Sequence, residues 1–159
     1  MKKGSTIFLR VVIVLIGIVA LMVMIRFPLT EGRAVNLDLF SIYSDPFIGY
    51  GYLASIPFFV ALYQAFTLLG YIGKNKVFSL SSVRALRNIK YCAIIQSILI
   101  LMAILYIMMS HSVDDDPAGF IAIGILATFI SIVIATAAAV FEELLQSAVD
   151  IKCENDLIV

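Results

Sequence analysis

The chain has 159 residues, of which 62% are hydrophobic and 14% are charged, with a mean hydropathy of +1.07 and a formal net charge of zero. Because soluble domains contain about 45 to 50% apolar residues, this composition excludes an ordinary soluble globular protein. A membrane span needs about 20 residues, so four spans use most of the length and leave loops too short for a second folded module. We therefore predict a single membrane domain over residues 1–159, with the lipid bilayer as its first partner.

The first predicted span covers residues 7–25, with two lysines ahead of it and Arg10 as its only charged residue. The apolar run is too long for a signal peptide and no cleavage site follows it, so we expect it to remain as a span. Arg10 lies about one helical turn inside, where a long side chain can reach back to the membrane interface.

Residues 26–45 form the longest predicted external loop, and an alternation of apolar and polar residues there is typical of a short strand or an interfacial segment. Asp45 followed by Pro46 predicts a helix N-cap with proline at the first helical position. The pair Asp116 and Pro117 repeats this signal before the last span.

The second predicted span covers residues 47–72 and contains Pro57, which predicts a kink and leaves open whether it acts as a hinge. Its polar residues are Gln64 and Thr67. We favour hydrogen bonds to neighbouring helices over a substrate site for both side chains.

Residues 73–90 form a loop that is purely basic, and nine of the eleven Lys and Arg residues fall on the same predicted side of the membrane. Positive charge is retained on the cytoplasmic side during insertion, so the pattern places this loop and both termini in the cytoplasm. The basic residues of the loop are Lys74, Lys76, Arg84, Arg87 and Lys90.

Within that loop, Ser81 or Ser82 can cap a short amphipathic helix whose apolar positions are Val83, Leu86 and Ile89. We expect this helix to lie along the membrane before the chain turns into the third span, at residues 91–110. Two interpretations of the arginines stay open: they remain solvated and contact anionic lipid, or they bind a partner.

A short external turn with His111 and Asp114 to Asp116 precedes the fourth span, at residues 118–141. The spacing does not favour a metal site, and an acidic turn before a helix is stabilised by the helix dipole. Inside the last two spans, Gln96 and Thr128 complete the predicted set of intramembrane polar residues.

The fourth span carries small residues at spacings of three or four, which form a face that another helix can approach closely. The face consists of Gly124, Thr128, Ser131, Ala135 and Ala139. It serves packing within one chain, which we favour, or a homo-oligomer of two copies.

After the fourth span an amphipathic helical extension is predicted, because apolar residues continue at helical spacing beyond Phe141. This tail is acidic, and we predict that it docks on the basic loop, with Glu142 meeting Arg10 or an arginine of the loop. Pairing of residues 157–159 with residues 77–79 as a short strand is left open. The acidic residues of the tail are Glu142, Glu143, Asp150, Glu154 and Asp156.

No motif for catalysis is present: the single histidine has no nucleophile partner, and there is no phosphate loop, zinc spacing or pair of intramembrane acids. Cys92 and Cys153 both fall on the predicted reducing side, so no disulfide is expected. We predict an all-α, integral membrane four-helix bundle, with a short cytoplasmic amphipathic helix between spans 2 and 3 and a helical C-terminal extension. We expect no enzymatic activity, cofactor or direct binding of nucleic acid.

The segment LLGYIGKNKVFSLSSVRALRNIKYCAI, at residues 68–94, and the ending AVDIKCENDLIV, at residues 148–159, resemble the bacterial membrane-protein family catalogued as domain of unknown function 2975. The most specific marks are the glycine-basic-VFS turn at 73–79, the helix VRALRNIKY and the terminal ENDL. The resemblance implies a four-span protein of the bacterial cytoplasmic membrane, often encoded beside a small helix-turn-helix regulator, with a role in sensing or regulation. It implies no active site. The chain departs from the family at Ile158, where members often have threonine.

Three functional interpretations follow. The first is a regulatory interaction protein whose basic loop and acidic tail bind a cytoplasmic partner, for example a small helix-turn-helix regulator. The second is a small transporter or transporter subunit, in which Pro57, Gln64, Gln96 and Thr128 line a pathway. The third is protection against a membrane-active peptide through the external loops.

Overall fold

The structure is a computed structural model that describes residues 3–30, 40, 45–110 and 117–158. The three long described ranges form four helices and no strand, which confirms the all-α class. Each helix is long and apolar enough to cross a membrane. The helices are α1 (Lys3–Thr30), α2 (Pro46–Gly73), α3 (Leu80–Ser110) and α4 (Ala118–Ile158).

Large apolar side chains cover the outside of all four helices. Phe8, Leu53, Leu105 and Ile123 are each more than half exposed, although such side chains are normally buried in soluble proteins. Exposed apolar bands of this length are stable in lipid, where every backbone polar group is satisfied within the helix. The protein is therefore a multi-pass membrane protein.

The helices pack in the order of the chain, with α1 on α2, α2 on α3 and, most extensively, α3 on α4. Contacts between Thr6 and Gly73 at one end, and between Met24 and Tyr52 at the other, show that α1 and α2 are antiparallel. We call the end with the first turn of α1 and the α2–α3 turn the basic end. The other is the opposite end.

Helix α1 extends beyond the predicted span end at residue 25 and passes through Pro28 to Thr30, so the predicted loop at 26–45 begins inside a helix. Proline has no N–H to donate to the carbonyl four residues earlier, which here belongs to Met24. The hydroxyl of Tyr52 on α2 donates to that carbonyl oxygen at 3.2 Å. A hydrogen bond from the neighbouring helix thus replaces the one that Pro28 removes.

Helix α2 begins as its sequence predicts. The carboxylate of Asp45 accepts a hydrogen bond from the backbone N–H of Phe47 at 2.8 Å, and Pro46 occupies the first turn. The helix continues through Pro57 to Gly73, and the predicted kink and hinge there stay predictions. For the related signal before α4, Asp116 lies outside the described residues, and α4 begins directly after Pro117.

Helix α3 differs from the prediction at its start. The cap is Ser79, whose carbonyl and hydroxyl oxygens both accept from the backbone N–H of Ser82, rather than Ser81 or Ser82 itself. The segment 80–90 is helical as predicted, but it continues into the third span without interruption. Since no proline or glycine lies between residues 80 and 110, nothing in the sequence breaks the helix there.

The small-residue face of α4 packs against α3. Gly124 and Thr128 are buried, and a Cβ added at Gly124 would lie 2.8 Å from the Cδ1 atom of Ile104 on α3. This confirms the favoured use of the face within one chain. Because α3 occupies the face, it does not offer a second copy the contact that the homo-oligomer interpretation requires.

Helix α4 has 41 residues, which at 1.5 Å per residue is about 60 Å, roughly twice the thickness of the hydrocarbon core. The predicted helical C-terminal extension is therefore confirmed. Its helix includes Leu157 and Ile158, while Val77 to Ser79 lie in the turn before α3. The short strand that was left open for these residues is not formed by any of those that the structure describes.

Candidate functional site at the basic end

The basic loop begins with a tight turn that ends α2. Asn75 adopts a left-handed conformation with φ of 54°, its N–H donates to the carbonyl of Ile72, and the N–H of Lys76 donates to the carbonyl of Tyr71. This is the Schellman arrangement, in which a residue with positive φ closes the last helical turn. Asparagine serves here because it tolerates this conformation better than most non-glycine residues.

Two serines fix the second half of the turn. The hydroxyls of Ser79 and Ser82 donate to the carbonyl oxygen of Lys76, at 2.9 and 3.2 Å. Ser82 is completely buried, as are Val83 and Ala85 that follow it. The turn between α2 and α3 is thus a compact, hydrogen-bonded structure rather than an extended loop.

A carboxylate of α4 connects the basic loop to the acidic tail. Glu142 accepts a hydrogen bond from the Nε of Arg87 through Oε1 and from the Nζ of Lys90 through Oε2, both at 2.6 Å. Arg87 and Lys90 are three residues apart and share one face of α3, so they reach the same carboxylate. We call Arg87, Lys90 and Glu142 the charge clamp.

Burial of the clamp is uneven. Glu142 is buried, while the side chain of Lys90 is 23% exposed and that of Arg87 is 52% exposed. The Lys90 ammonium also lies 5.1 Å from the centre of the Tyr91 ring, a second favourable contact for the charge. The better shielded partner of Glu142 is therefore Lys90.

The other charged residues of the predicted docking face are not brought together. Lys74, Lys76 and Arg84 are exposed, and so are the acidic side chains of Glu143 and Glu154. In the described part of the chain these five side chains form no ion pair. They remain accessible at the basic end.

Two members of the acidic tail complete the predicted face. Asp150 is exposed and accepts a hydrogen bond from the side-chain amide of Gln146, one helical turn earlier, at 2.9 Å. The side chain of Asp156 lies outside the described residues. Exposed apolar residues stand beside this acidic surface, among them Leu144 and Ile151, each about 60% exposed.

The intramembrane polar residues do not form a shared site. The hydroxyl of Thr67 donates to the carbonyl of Tyr63 in its own helix, so the prediction of an inter-helix hydrogen bond is wrong for this residue. A threonine hydroxyl reaches the carbonyl four residues earlier without crossing to a neighbour. Thr128 does the same with Gly124. Gln64 is half-buried, and the Oε1 atom of Gln96 is buried without a hydrogen-bond partner.

One of the two predicted alternatives, a contact between Arg10 and Glu142, is not formed. The guanidinium carbon of Arg10 lies 5.1 Å from the centre of the Phe66 ring on α2, and its Nε is buried without a hydrogen-bond partner. An added Cβ at Gly70 would lie only 2.6 Å from the Nη2 atom of Arg10. Phe66 and Gly70 were missed from the sequence, although an arginine within a span signals that a neighbouring helix must accommodate it.

The opposite end contains an apolar cavity of about 240 Å³ that the sequence did not reveal. The hydroxyls of Tyr50 and Tyr52 donate to the carbonyl oxygens of Leu99 and Met24. The cavity wall is therefore apolar, because these polar groups are used in hydrogen bonds to neighbouring helices. The aromatic ring of Phe47 packs between helices at this end, 5.9 Å from the ring of Phe120. Residues from all four helices line the cavity, including Met24, Pro28, Phe47, Tyr50, Leu99 and Phe120.

Metal-binding and redox chemistry find no assembled site among the described residues. No group of three or more His, Cys, Asp or Glu side chains is close enough to hold an ion there. His111 and Asp114 to Asp116 lie outside the described residues. Cys92 is half-buried and Cys153 is exposed, and both are free thiols.

Comparison with known proteins gives a match along nearly the whole chain. Residues 5–159 match the sequence model of a family described as "Protein of unknown function (DUF2975)". The chain is 49% identical over 165 residues to "Uncharacterized membrane protein YoaS" of Bacillus subtilis (strain 168), and the alignment covers 100% of both chains. No solved structure matches the chain.

Proposed function

The chain belongs to the DUF2975 family, and we propose that it is a non-catalytic, membrane-held interaction protein with a regulatory role, whose basic end lies in the cytoplasm and binds a soluble protein. The orientation rests on the positive-inside rule. The loop at 73–90 carries five basic residues, whereas the predicted external side carries two, Arg26 and Arg33. The clustering of charge at one end is the reason for placing the partner there.

The observation that carries the proposal is the helical projection, which consists of residues 80–90 of α3 and 142–155 of α4. Helix α4 exceeds the hydrocarbon thickness by about 30 Å, so these residues lie beyond the membrane core. Val83, Ala85 and Val149 are buried, and the charge clamp joins the two helices. The projection therefore has packing of its own and presents a fixed surface.

The surface of the projection combines apolar and charged residues. Leu144 and Ile151 are each about 60% exposed, and Arg84, Glu143 and Glu154 are exposed around them. Exposed apolar residues with a charged rim are typical of protein interaction sites. The partner that we favour is the small helix-turn-helix regulator that the family resemblance implies, bound through its protein surface rather than through nucleic acid.

Site-specific photocrosslinking in intact cells tests the proposal. A photoreactive residue at position 144 is expected to capture one small soluble protein, and the substitution Arg84→Glu is expected to abolish that capture. The same probe at position 126, an equally exposed leucine within the fourth span, is the matched control. Capture of lipid alone at position 144 would contradict the proposal, because the projection would then lie on the membrane surface.

The transporter interpretation has less support. Thr128 is buried in the contact between α3 and α4, and its hydroxyl donates within its own helix, which does not favour it as a pathway residue. A flux assay with the chain in sealed vesicles tests this alternative. Protection against a membrane-active peptide rests on the external loops, and altered peptide sensitivity after deletion of the gene would favour it.

A further inference from the structure

Arg10 is a charged side chain that has no acceptor. It is half-buried in the contact between α1 and α2, and its guanidinium forms no hydrogen bond or ion pair with any side chain or carbonyl of the described residues. A guanidinium has five N–H donors and no acceptor. Burial of the Nε donor of a permanent charge without an acceptor is unfavourable, and an anion bound at the accessible terminal N–H groups would offset that cost.

A second donor without an acceptor lies one helical turn away. Thr6 is 4% exposed, and its Oγ1 atom is buried without a hydrogen-bond partner. Thr6 and Arg10 are four residues apart and so share one face of α1. The Thr6 hydroxyl is shielded from the outside, so the N–H groups that a ligand can reach here are the terminal ones of Arg10.

Helix α2 is shaped to receive the arginine. Phe66, Gly70 and Gly73 recur at helical spacing on α2. The Arg10 guanidinium lies over the ring of Phe66 and occupies the space that a side chain at Gly70 would fill. Gly73 meets the methyl group of Thr6, with 3.4 Å between an added Cβ and Cγ2. The ring holds one side of the guanidinium by a cation–π contact, which leaves its edge for a ligand.

The depth of the site identifies the class of ligand. Arg10 lies three residues into the predicted span, about 5 Å below its start, and an arginine side chain is long enough to reach the headgroup layer from there. The anions present in that layer are the phosphates of phospholipids. A guanidinium binds phosphate through two parallel hydrogen bonds.

We propose that Arg10, positioned by Phe66 and Gly70, binds the phosphate of one anionic phospholipid through its terminal N–H groups, in the leaflet at the basic end. This site is separate from the charge clamp, because the basic residues that Glu142 neutralises belong to α3. It goes beyond the proposed function, since it concerns how the bilayer rather than a soluble partner is recognised.

Native mass spectrometry of the full, delipidated chain in detergent tests the proposal, with phosphatidylglycerol, phosphatidylcholine and inorganic phosphate as separate probes. One phosphatidylglycerol is expected to remain bound in preference to phosphatidylcholine, and Arg10→Gln is expected to weaken its binding about tenfold. Lys152→Gln is the matched control, because it removes one positive charge from an exposed position at the same end. Its phosphatidylglycerol binding should equal that of the unaltered chain.

A second variant keeps the net charge. Gly70→Leu places a branched side chain where the guanidinium lies, since even a Cβ there would be 2.6 Å from Nη2, so it is expected to weaken phosphatidylglycerol binding, whereas unspecific charge attraction would be unaffected. This variant also serves if Arg10→Gln fails to fold. Equal phosphatidylglycerol binding by Gly70→Leu and the unaltered chain would overturn the proposal, and so would displacement of the lipid by millimolar inorganic phosphate. Loss of binding in Lys152→Gln to the same extent as in Arg10→Gln would also overturn it.

Discussion

Removal of the Glu142 carboxylate is the most informative single change, because one side chain joins the basic loop to the tail. Glu142→Gln keeps the size of the side chain but removes its charge, and it replaces one of the two oxygens that accept at 2.6 Å by an NH2 group that cannot accept. Loss of one partner from a fully buried pair costs about 3–5 kcal/mol, and an exposed pair contributes about 0–1 kcal/mol. Glu142 is buried but its partners are partly wet, so we expect a loss of about 2 kcal/mol in the free energy of unfolding.

The assay is reversible unfolding of the purified chain in mixed micelles of a mild detergent and dodecyl sulfate, followed by circular dichroism. Glu143→Gln is the control. It removes the same charge from the exposed neighbouring residue on the same helix. Double-mutant cycles then separate the two partners. The coupling of Glu142 to Lys90 is expected to exceed its coupling to Arg87, since the lysine is less exposed. An equal effect of Glu142→Gln and Glu143→Gln would refute the reasoning.

Three further changes test the packing and the turn. Tyr52→Phe should lower the free energy of unfolding by about 1 kcal/mol, because the Met24 carbonyl loses its donor. Adding Pro28→Ala to that variant should recover part of the loss, because alanine restores the helical N–H. An unchanged unfolding midpoint of Tyr52→Phe would contradict this. Gly124→Ala should lower the free energy of unfolding by about 1–3 kcal/mol by crowding α3, and Ile104→Val should relieve the effect. Gly119→Ala is the control, because a Cβ there meets no atom within 4 Å. Equal effects of the two glycine substitutions would argue against close packing. Asn75→Val should lower the free energy of unfolding by about 1–2 kcal/mol, because a β-branched residue is strained at the positive φ of this position, whereas Asn75→Gly should be tolerated. Thermal unfolding of the two variants at the same temperature would refute the left-handed turn.

The sequence predicts the number and class of the helices because a membrane span depends on length and hydropathy, which composition reveals directly. Helix ends are harder. The first predicted span ends at residue 25, yet the helix continues through Pro28, where Tyr52, 24 residues later in the chain, supplies the missing hydrogen bond. A donor on another helix is a tertiary contact that no local pattern contains.

The candidate site was predictable in part. Opposite charges on the loop and the tail predict contact between them, with Glu142 meeting Arg10 or an arginine of the loop. The choice of Arg87 and Lys90 from five basic residues depends on the rotation of α3 against α4, which follows from packing. The surroundings of Arg10 depend in the same way on how α1 packs on α2.

The account as a whole depends on the basic end facing the cytoplasm, and the native cysteine at position 153 can report on it. In a Cys92→Ser variant, Cys153 is the only thiol and is exposed near the end of α4. A membrane-impermeant thiol reagent is expected to label it in permeabilised cells but not in intact cells, whereas a cysteine placed at Gly119, at the opposite end, should be labelled in both. Labelling of Cys153 from outside intact cells would contradict the orientation and remove the basis for a soluble cytoplasmic partner.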